Sequence, residues 1–114
     1  INSDLIEQAV TNLVDNAVKY SDPGSSVKVD VKKINGTIAV SVRDTGSGIP
    51  TRHQGRIFER FYVVDKSRSR KLGGTGLGLS IVKHTSQVHQ GSVSVESELG
   101  RGSVFTITLP VERD

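Results

Sequence analysis

The feature that most restricts how this chain can fold is the dipeptide Asn35-Gly36, set between two runs of strictly alternating apolar residues. Val27, Val29 and Val31 alternate with Lys28, Asp30 and Lys32, and beyond the dipeptide Ile38, Val40 and Val42 alternate again. Period-two alternation describes a strand with one buried and one wet face, and Asn-Gly suits the two positive-φ positions of a tight hairpin turn. Residues 26–43 are therefore predicted to form an antiparallel hairpin. Consecutive strands paired to each other argue against a doubly wound parallel sheet, in which a helix would separate them.

The segments on either side complete the outline. Leu5, Ile6, Ala9, Val10, Leu13, Val14 and Ala17 recur at i, i+3 and i+4 spacing, which predicts a helix over residues 4–20. Asp4 is placed to cap it, with Glu7 three residues on, and Ser21-Asp22-Pro23-Gly24 ends it by turn chemistry. A loop follows the hairpin from residue 44 to 50, then a short helix around residues 52–60. Residues 63–76 lack apolar periodicity and read as a mobile basic loop. A second long helix is predicted from Leu77 to about His89, with Leu77, Ile81 and Val88 as its stripe and Val82 widening it; Thr85 interrupts that stripe, and Gly91 ends the helix. Residues 92–97 and 103–109 form two further strands joined through Gly100-Arg101-Gly102. This order predicts an α/β sandwich: a mixed, largely antiparallel sheet with helices packed on one face.

With 114 residues the chain suits a single domain, residues 1–114, and starting at Ile1 rather than Met it reads as a piece of a longer protein. No apolar run approaches the ~18–20 residues that cross a bilayer. The sequence has no Cys, which removes disulfides, thiolate metal sites and cysteine nucleophiles together. His53, His84 and His89 lack zinc-helix spacing, and there is no Gly-x-Ser-x-Gly elbow or His-Arg-Asp loop to support acyl transfer or the common protein-kinase chemistry.

The net charge of +3 is unevenly spread. Arg52, Arg56, Arg60, Lys66, Arg68, Arg70 and Lys71 crowd one stretch that holds only Glu59 and Asp65 against them. Such a stretch is either a solvated loop or a place where an anionic ligand or partner is met. It has only Tyr62 and two Phe residues to stack on bases, so a nucleic-acid partner is not expected.

Three constellations could carry chemistry. Asn12, Asn16, Lys19 and Tyr20 share one face of the first helix, beside its apolar stripe. That face is either simply solvated or the wall of a cleft, where amide oxygens suit a hard cation and the ammonium suits a phosphate. Asp44-Thr45-Gly46-Ser47-Gly48-Ile49 follows a strand directly; it is an ordinary turn composition, or a loop that lets a ligand approach the backbone beside a carboxylate. Gly74-Thr75-Gly76-Leu77-Gly78-Leu79 opens the second long helix, as a hinge or as bare N–H groups for a phosphate. It is not a P-loop, because Gly-Lys-Ser/Thr is absent, and not a dinucleotide fingerprint, because the spacing differs and no buried strand precedes it.

Taken in order, these segments resemble the ATP-binding catalytic domain of bacterial sensor histidine kinases, within the superfamily that includes gyrase, mismatch-repair and heat-shock chaperone ATPases. Asn12-Leu13-Val14-Asp15-Asn16-Ala17 resembles the N box and Asp44-Thr45-Gly46-Ser47-Gly48-Ile49 the G1 box. Ile57-Phe58-Glu59-Arg60-Phe61-Tyr62 resembles the F box, Gly74-Thr75-Gly76-Leu77-Gly78-Leu79 the G2 box, and Gly102-Ser103-Val104-Phe105 the glycine-led last strand. The resemblance implies an ATP pocket between helices and sheet, closed by a mobile lid. Asn16 would bind Mg²⁺, Asn12 and Lys19 would lie along the phosphates, and Tyr20 would pack near the adenine. Asp44 would accept a hydrogen bond from the adenine 6-amino group, with Gly46, Gly48 and Ile49 around it. Gly74, Thr75, Gly76, Leu77 and Gly78 would present N–H groups to phosphate.

In the ATP-hydrolysing relatives a Glu general base usually stands where Asn12 does. An amide cannot take a proton at neutral pH, whereas an acceptor histidine attacks through its own neutral imidazole nitrogen, so Asn12 points to the histidine-kinase branch. Where the F box often continues with Arg, this chain has Val63, and Arg60 or a residue of 66–71 is expected to supply that charge. No His-Glu-x-x-Thr-Pro-like acceptor is present. The implied partners are a histidine-bearing dimerisation domain of the same protein and a response regulator. The implied location is cytoplasmic, with the parent anchored in the bacterial inner membrane through parts absent from this sequence. The alternatives are a serine kinase or ATPase of the same superfamily, or a non-catalytic nucleotide-sensing module.

Overall fold

The structure, a computed structural model, describes residues 3–20, 24–60, 62 and 78–110. Helix α1 spans Ser3–Tyr20, strand β1 Val27–Ile34, strand β2 Thr37–Asp44, the single-turn helix α2 Thr51–Gln54, helix α3 Gly78–Val88, strand β3 Ser92–Glu98 and strand β4 Gly102–Pro110. The four strands lie in the order β1-β2-β4-β3, and every neighbouring pair is antiparallel. The sheet, expected to be largely antiparallel with some mixing, is wholly antiparallel among the described strands.

The hairpin forms as the sequence requires. Asn35 and Gly36 both take positive φ, 48° and 78°, the signature of a turn whose twist matches the strands it joins. Register then pairs Val31 with Val40 and Val29 with Val42. β4 inserts beside β2, pairing Phe105 with Val42 and Ile107 with Val40. Odd residues of β3 and β4 and even residues of β2 thus share the face that the helices cover.

That covered face is the core. Ala9, Leu13 and Ala17 of α1 are buried at successive i+4 steps against Val42, Phe105, Ile107 and Leu109 of the sheet and Val82 of α3. Ile57, just past α2, joins them, and Phe58 meets the Phe105 ring edge-on at 6.0 Å and 82°. Burying a Phe or Leu side chain contributes about 1.5–3 kcal/mol each, so these few residues supply most of the hydrophobic stabilisation.

α3 begins at Gly78 and presents a face other than the one its apolar residues suggest. Val82 is fully buried, but Thr85 and Ser86 are buried beside it, while Val88 is 57% exposed. Thr85, expected to interrupt the stripe, lies on the buried face. The polar side is tolerated because Ser86 Oγ donates to the Lys83 carbonyl at 2.8 Å, satisfying its hydroxyl within the helix. Small side chains there also let α3 lie close beside α1. The helix ends in a Schellman motif: Gly91 N–H donates to the Ser86 carbonyl and Gln90 N–H to that of Gln87. The left-handed residue is Gln90, at φ 61°, rather than the glycine that follows it.

The short helix expected over residues 52–60 is a single turn followed by further turns, because Gly55 takes over at its C-terminus. The basic loop and lid expected over residues 63–76 lie outside the described residues. Among those described, no helix is long and apolar enough to cross a membrane, which leaves membrane β-barrels unaddressed.

Candidate nucleotide site

Sheet and helix meet at one edge where polar groups replace apolar ones. Asp44 is the last residue of β2 and has the parity of Val40 and Val42, so its carboxylate emerges on the helix-covered face just past the buried valines. β4 places Ser103 directly opposite Asp44, and β3 places Ser97 opposite Ser103. The covered face therefore runs through an apolar row, Val42–Phe105–Val95, and stops at a polar one, Asp44–Ser103–Ser97.

The loop from Thr45 to Pro50 folds over that polar row and is tied down on both sides. Towards β1, Thr45 N–H donates to the Ser26 carbonyl at 3.2 Å and Thr45 Oγ1 accepts from Ser26 N–H at 3.0 Å. Towards β3, Ile49 N–H donates to Ser97 Oγ at 2.7 Å, and Gln54 Nε2 reaches both the Ile49 carbonyl at 2.8 Å and the Ser97 carbonyl at 3.2 Å. Gly100 N–H donates to the Ser47 carbonyl at 2.8 Å. The loop also touches backbone. A Cβ on Gly48, whose φ is +79°, would sit 2.2 Å from the Glu98 carbonyl oxygen, and one on Gly102, at φ +106°, would sit 2.1 Å from that of Asp44. Neither position admits a side chain.

Within the loop Asp44 Oδ1 accepts from Gly46 N–H at 3.0 Å, a local turn that fixes the carboxylate. Its other oxygen is uncommitted among the described residues. Gly46 is buried and Ile49 half-buried against the core. The Ile49 N–H is committed to Ser97, so it is not available as a donor to a ligand.

Across from this loop stands the polar margin of α1. Asn12 and Asn16 precede Leu13 and Ala17 by one residue each, so both are half-buried at the edge of the apolar stripe. Asn12 Nδ2 is buried and has no hydrogen-bond partner among the described residues. Leaving a buried amide unpaired costs about 1–3 kcal/mol, which makes Asn12 Nδ2 a candidate donor to a polar ligand or a water. Lys19 is exposed in the last turn of α1, and Tyr20 is its final residue. Gly78 opens α3, and nothing lies within 4 Å of a Cβ built there. Gly74, Thr75, Gly76 and Leu77 lie outside the described residues, as do Val63 and residues 66–71.

Arg60 is exposed and already engaged in an interaction. Nearby, the Arg56 guanidinium lies 4.7 Å from the Tyr62 ring centroid, and the Tyr62 hydroxyl hydrogen-bonds His53 Nδ1. Arg56 also pairs with Glu59 at 3.0 Å, and that hydrogen bond holds the Glu59 carboxyl below its ordinary range. Arg56 is thus partly neutralised and stacked before any anion arrives.

Ser97, Ser103 and Gln54 are site-supporting residues that sequence reasoning did not single out. A signal was present for the serines: each occupies an inward position, where Val93 and Val95 or Phe105 and Ile107 set an apolar alternation.

A carboxylate fixed at a strand end, a glycine-backed loop and a helix margin with an unpaired buried amide line one edge of this α/β sandwich. The histidine kinase-, DNA gyrase B-, and HSP90-like ATPase family matches residues 1–113, and the chain belongs to that family. ATP binding follows from this membership. The chain is 49% identical over 106 residues to the sensor-like histidine kinase SenX3 of Mycolicibacterium smegmatis, covering 93% of this chain and 28% of that protein. It is 44% identical over 116 residues to the sensor histidine kinase WalK of Bacillus subtilis, covering all of this chain and 19% of that one. Among solved structures, the mycobacterial sensor histidine kinase MprB superposes with a TM-score of 0.82 at 34% identity, over 96% of this chain and 72% of that one. Full-length ShkA in complex with AMPPNP superposes at 0.84, also at 34% identity, over 96% of this chain and 22% of that one. The chain thus spans less than a third of the length of these two sequence relatives.

Proposed function

We propose that residues 1–114 form one ATP-binding catalytic domain of a two-component sensor histidine kinase, which binds Mg-ATP and presents its γ-phosphate to a histidine on a separate dimerisation domain. The observation that carries the transfer over hydrolysis is Asn12. Its side chain stands at the margin of the site with a buried, unpartnered Nδ2, and an amide offers no base to activate water. The acceptor imidazole attacks phosphorus through its own lone pair, ADP departs, and the phosphoryl group passes to nitrogen. In this reading Asp44 accepts from the adenine amino group through its uncommitted oxygen, and Asn12 and Lys19 lie along the phosphates. Gly46, Gly48 and Ile49 form the wall beneath the base, and the role of Tyr20 beside it rests on the sequence resemblance. The roles of Gly74, Thr75, Gly76, Leu77 and Gly78 at the phosphates, and of Arg60 as the charge in place of Val63, rest on the sequence resemblance.

The residues fit Mg²⁺ as a companion of the nucleotide. Asn16 offers a neutral amide oxygen beside the orphaned Asn12 amide, and no group of three or more His, Asp or Glu assembles among the described residues. Bound with the phosphates, the cation supplies charge neutralisation; Asn16 orients it. The partners proposed are the histidine-bearing dimerisation domain and a response regulator, with the domain in the cytoplasm and the parent anchored in the bacterial inner membrane.

The test mixes the purified chain with a histidine-bearing dimerisation domain and γ-labelled ATP. Acid-labile, base-stable label on the partner is expected. Steady phosphate release by the chain alone, without labelling of the partner, would support the ATPase alternative.

A further inference from the structure

We infer that Ser97, braced by Ser103 and Gln54, is a positioning residue for base recognition: it holds the loop that follows Asp44 and so sets where the Asp44 carboxylate points. This deepens the adenine-reading role of Asp44 and rests on it. Ser97 Oγ accepts from Ile49 N–H at 2.7 Å, lies 3.1 Å from the Gly102 carbonyl, to which it donates, and is 2.8 Å from Ser103 Oγ. A hydroxyl has one proton and two lone pairs, so with its own proton on Gly102 the third bond must be donated by Ser103. All three valences are then filled, and the side chain has one orientation. Gln54 repeats the tie from the other side by donating to the carbonyls of Ile49 and of Ser97 itself.

These bonds act on Asp44 because of the register. Ser103, the second hydroxyl of the pair, is the cross-strand neighbour of Asp44, and Gly102 lies against the Asp44 carbonyl. Asp44 Oδ1 is held by Gly46 N–H inside the same loop. The loop is thus fixed by Ser26 at Thr45, by Gly100 at Ser47 and by Ser97 and Gln54 at Ile49, and removing the Ser97 tie loosens the Ile49 end of the turn that aims the carboxylate. A rigidly aimed acceptor discriminates between an amino group and a carbonyl oxygen; a loose one rotates away from the wrong base and tolerates it.

The experiment measures ATP and GTP affinity by calorimetry, with Mg²⁺, for the wild-type chain and for Ser97→Ala, Ser97→Thr, Gln54→Ala and Ser41→Ala. Ser41 shares a hydroxyl–hydroxyl contact with Thr106 at 3.3 Å on the other face of the sheet, so its loss serves as the structural control. Expected are a roughly tenfold fall in the ATP-over-GTP ratio for Ser97→Ala, faster hydrogen exchange at the Ile49 amide, recovery of the ratio in Ser97→Thr, and no change in the ratio for Ser41→Ala. If Ser97→Ala does not fold, Gln54→Ala is expected to show the same fall. A wild-type ratio retained by Ser97→Ala although the Ile49 amide has lost protection, or by Gln54→Ala in its place, would overturn the inference. A wild-type chain that binds ATP without preferring it to GTP would instead overturn the role of Asp44.

Discussion

At the scale of single residues, the proposed site depends on polar atoms that have no partner among the described residues. Asp44 commits one oxygen to its own loop, and in the proposed site the other accepts from the amino group of adenine. Guanine offers a carbonyl oxygen at that place, which would repel it. Loss of a charged hydrogen bond costs about 1.5–3 kcal/mol, roughly 10- to 150-fold in affinity. Asp44→Ala is therefore expected to weaken ATP binding by that factor while leaving the melting curve close to wild type, as calorimetry and circular dichroism would read. Gly102→Ala should do the reverse. Its Cβ would meet the Asp44 carbonyl at 2.1 Å in a left-handed backbone, so a loss of at least about 1–3 kcal/mol of stability is expected in denaturant titration. The glycine before Ser103 was legible in the sequence as part of a turn and as the head of the last strand; the reason nothing else fits is a contact with a strand nearly sixty residues away.

At the scale of elements, local rules account for most of what forms. The Asn35-Gly36 turn and the Ala9–Leu13–Ala17 stripe follow from conformational preference and periodicity, which depend only on near neighbours. The α3 helix shows where such rules stop. Its length was legible, but its buried face was not, because Ser86 satisfies its own hydroxyl and can be buried as cheaply as an apolar residue. Its C-terminus offers a test. Gln90 adopts φ 61°, at a cost of roughly 1–2 kcal/mol for a residue with a Cβ. Gln90→Gly is expected to stabilise the chain by about 1 kcal/mol and raise the melting temperature by several degrees, as calorimetry would register. Gly91 next to it is placed by contact instead, since a Cβ there would sit 2.1 Å from the Thr108 carbonyl.

At the scale of the molecule, a small core leaves little margin. Phe105 is buried where β2, β3, β4 and Phe58 converge. Truncating a buried Phe to Ala costs about 3–5 kcal/mol against a total of about 5–15 kcal/mol. Phe105→Ala should thus bring the urea midpoint down sharply or leave the chain unfolded at 37 °C. Ligand works in the opposite direction. At a hundred times its dissociation constant, Mg-ATP stabilises by about 2.7 kcal/mol, so the melting temperature is expected to rise with nucleotide concentration. Asn12→Leu, which removes the orphaned amide, should reduce that rise while leaving the apo protein at least as stable.

The sequence alone determined the two long helices, the hairpins and the segments that border the proposed site, because period, turn chemistry and short motifs are properties of neighbouring residues. It also carried the family, since four boxes in one order are a pattern along the chain. Only the tertiary structure decided that β4 lies between β2 and β3, and with that order it made Asp44, Ser103 and Ser97 one polar row. Strand order and register are set by which faces bury one another over long separations, and that choice leaves no periodic trace. Hence Asp44 stands out in the chain as a carboxylate closing a strand, while the serine and glutamine that tie its loop become visible only when the sheet is assembled.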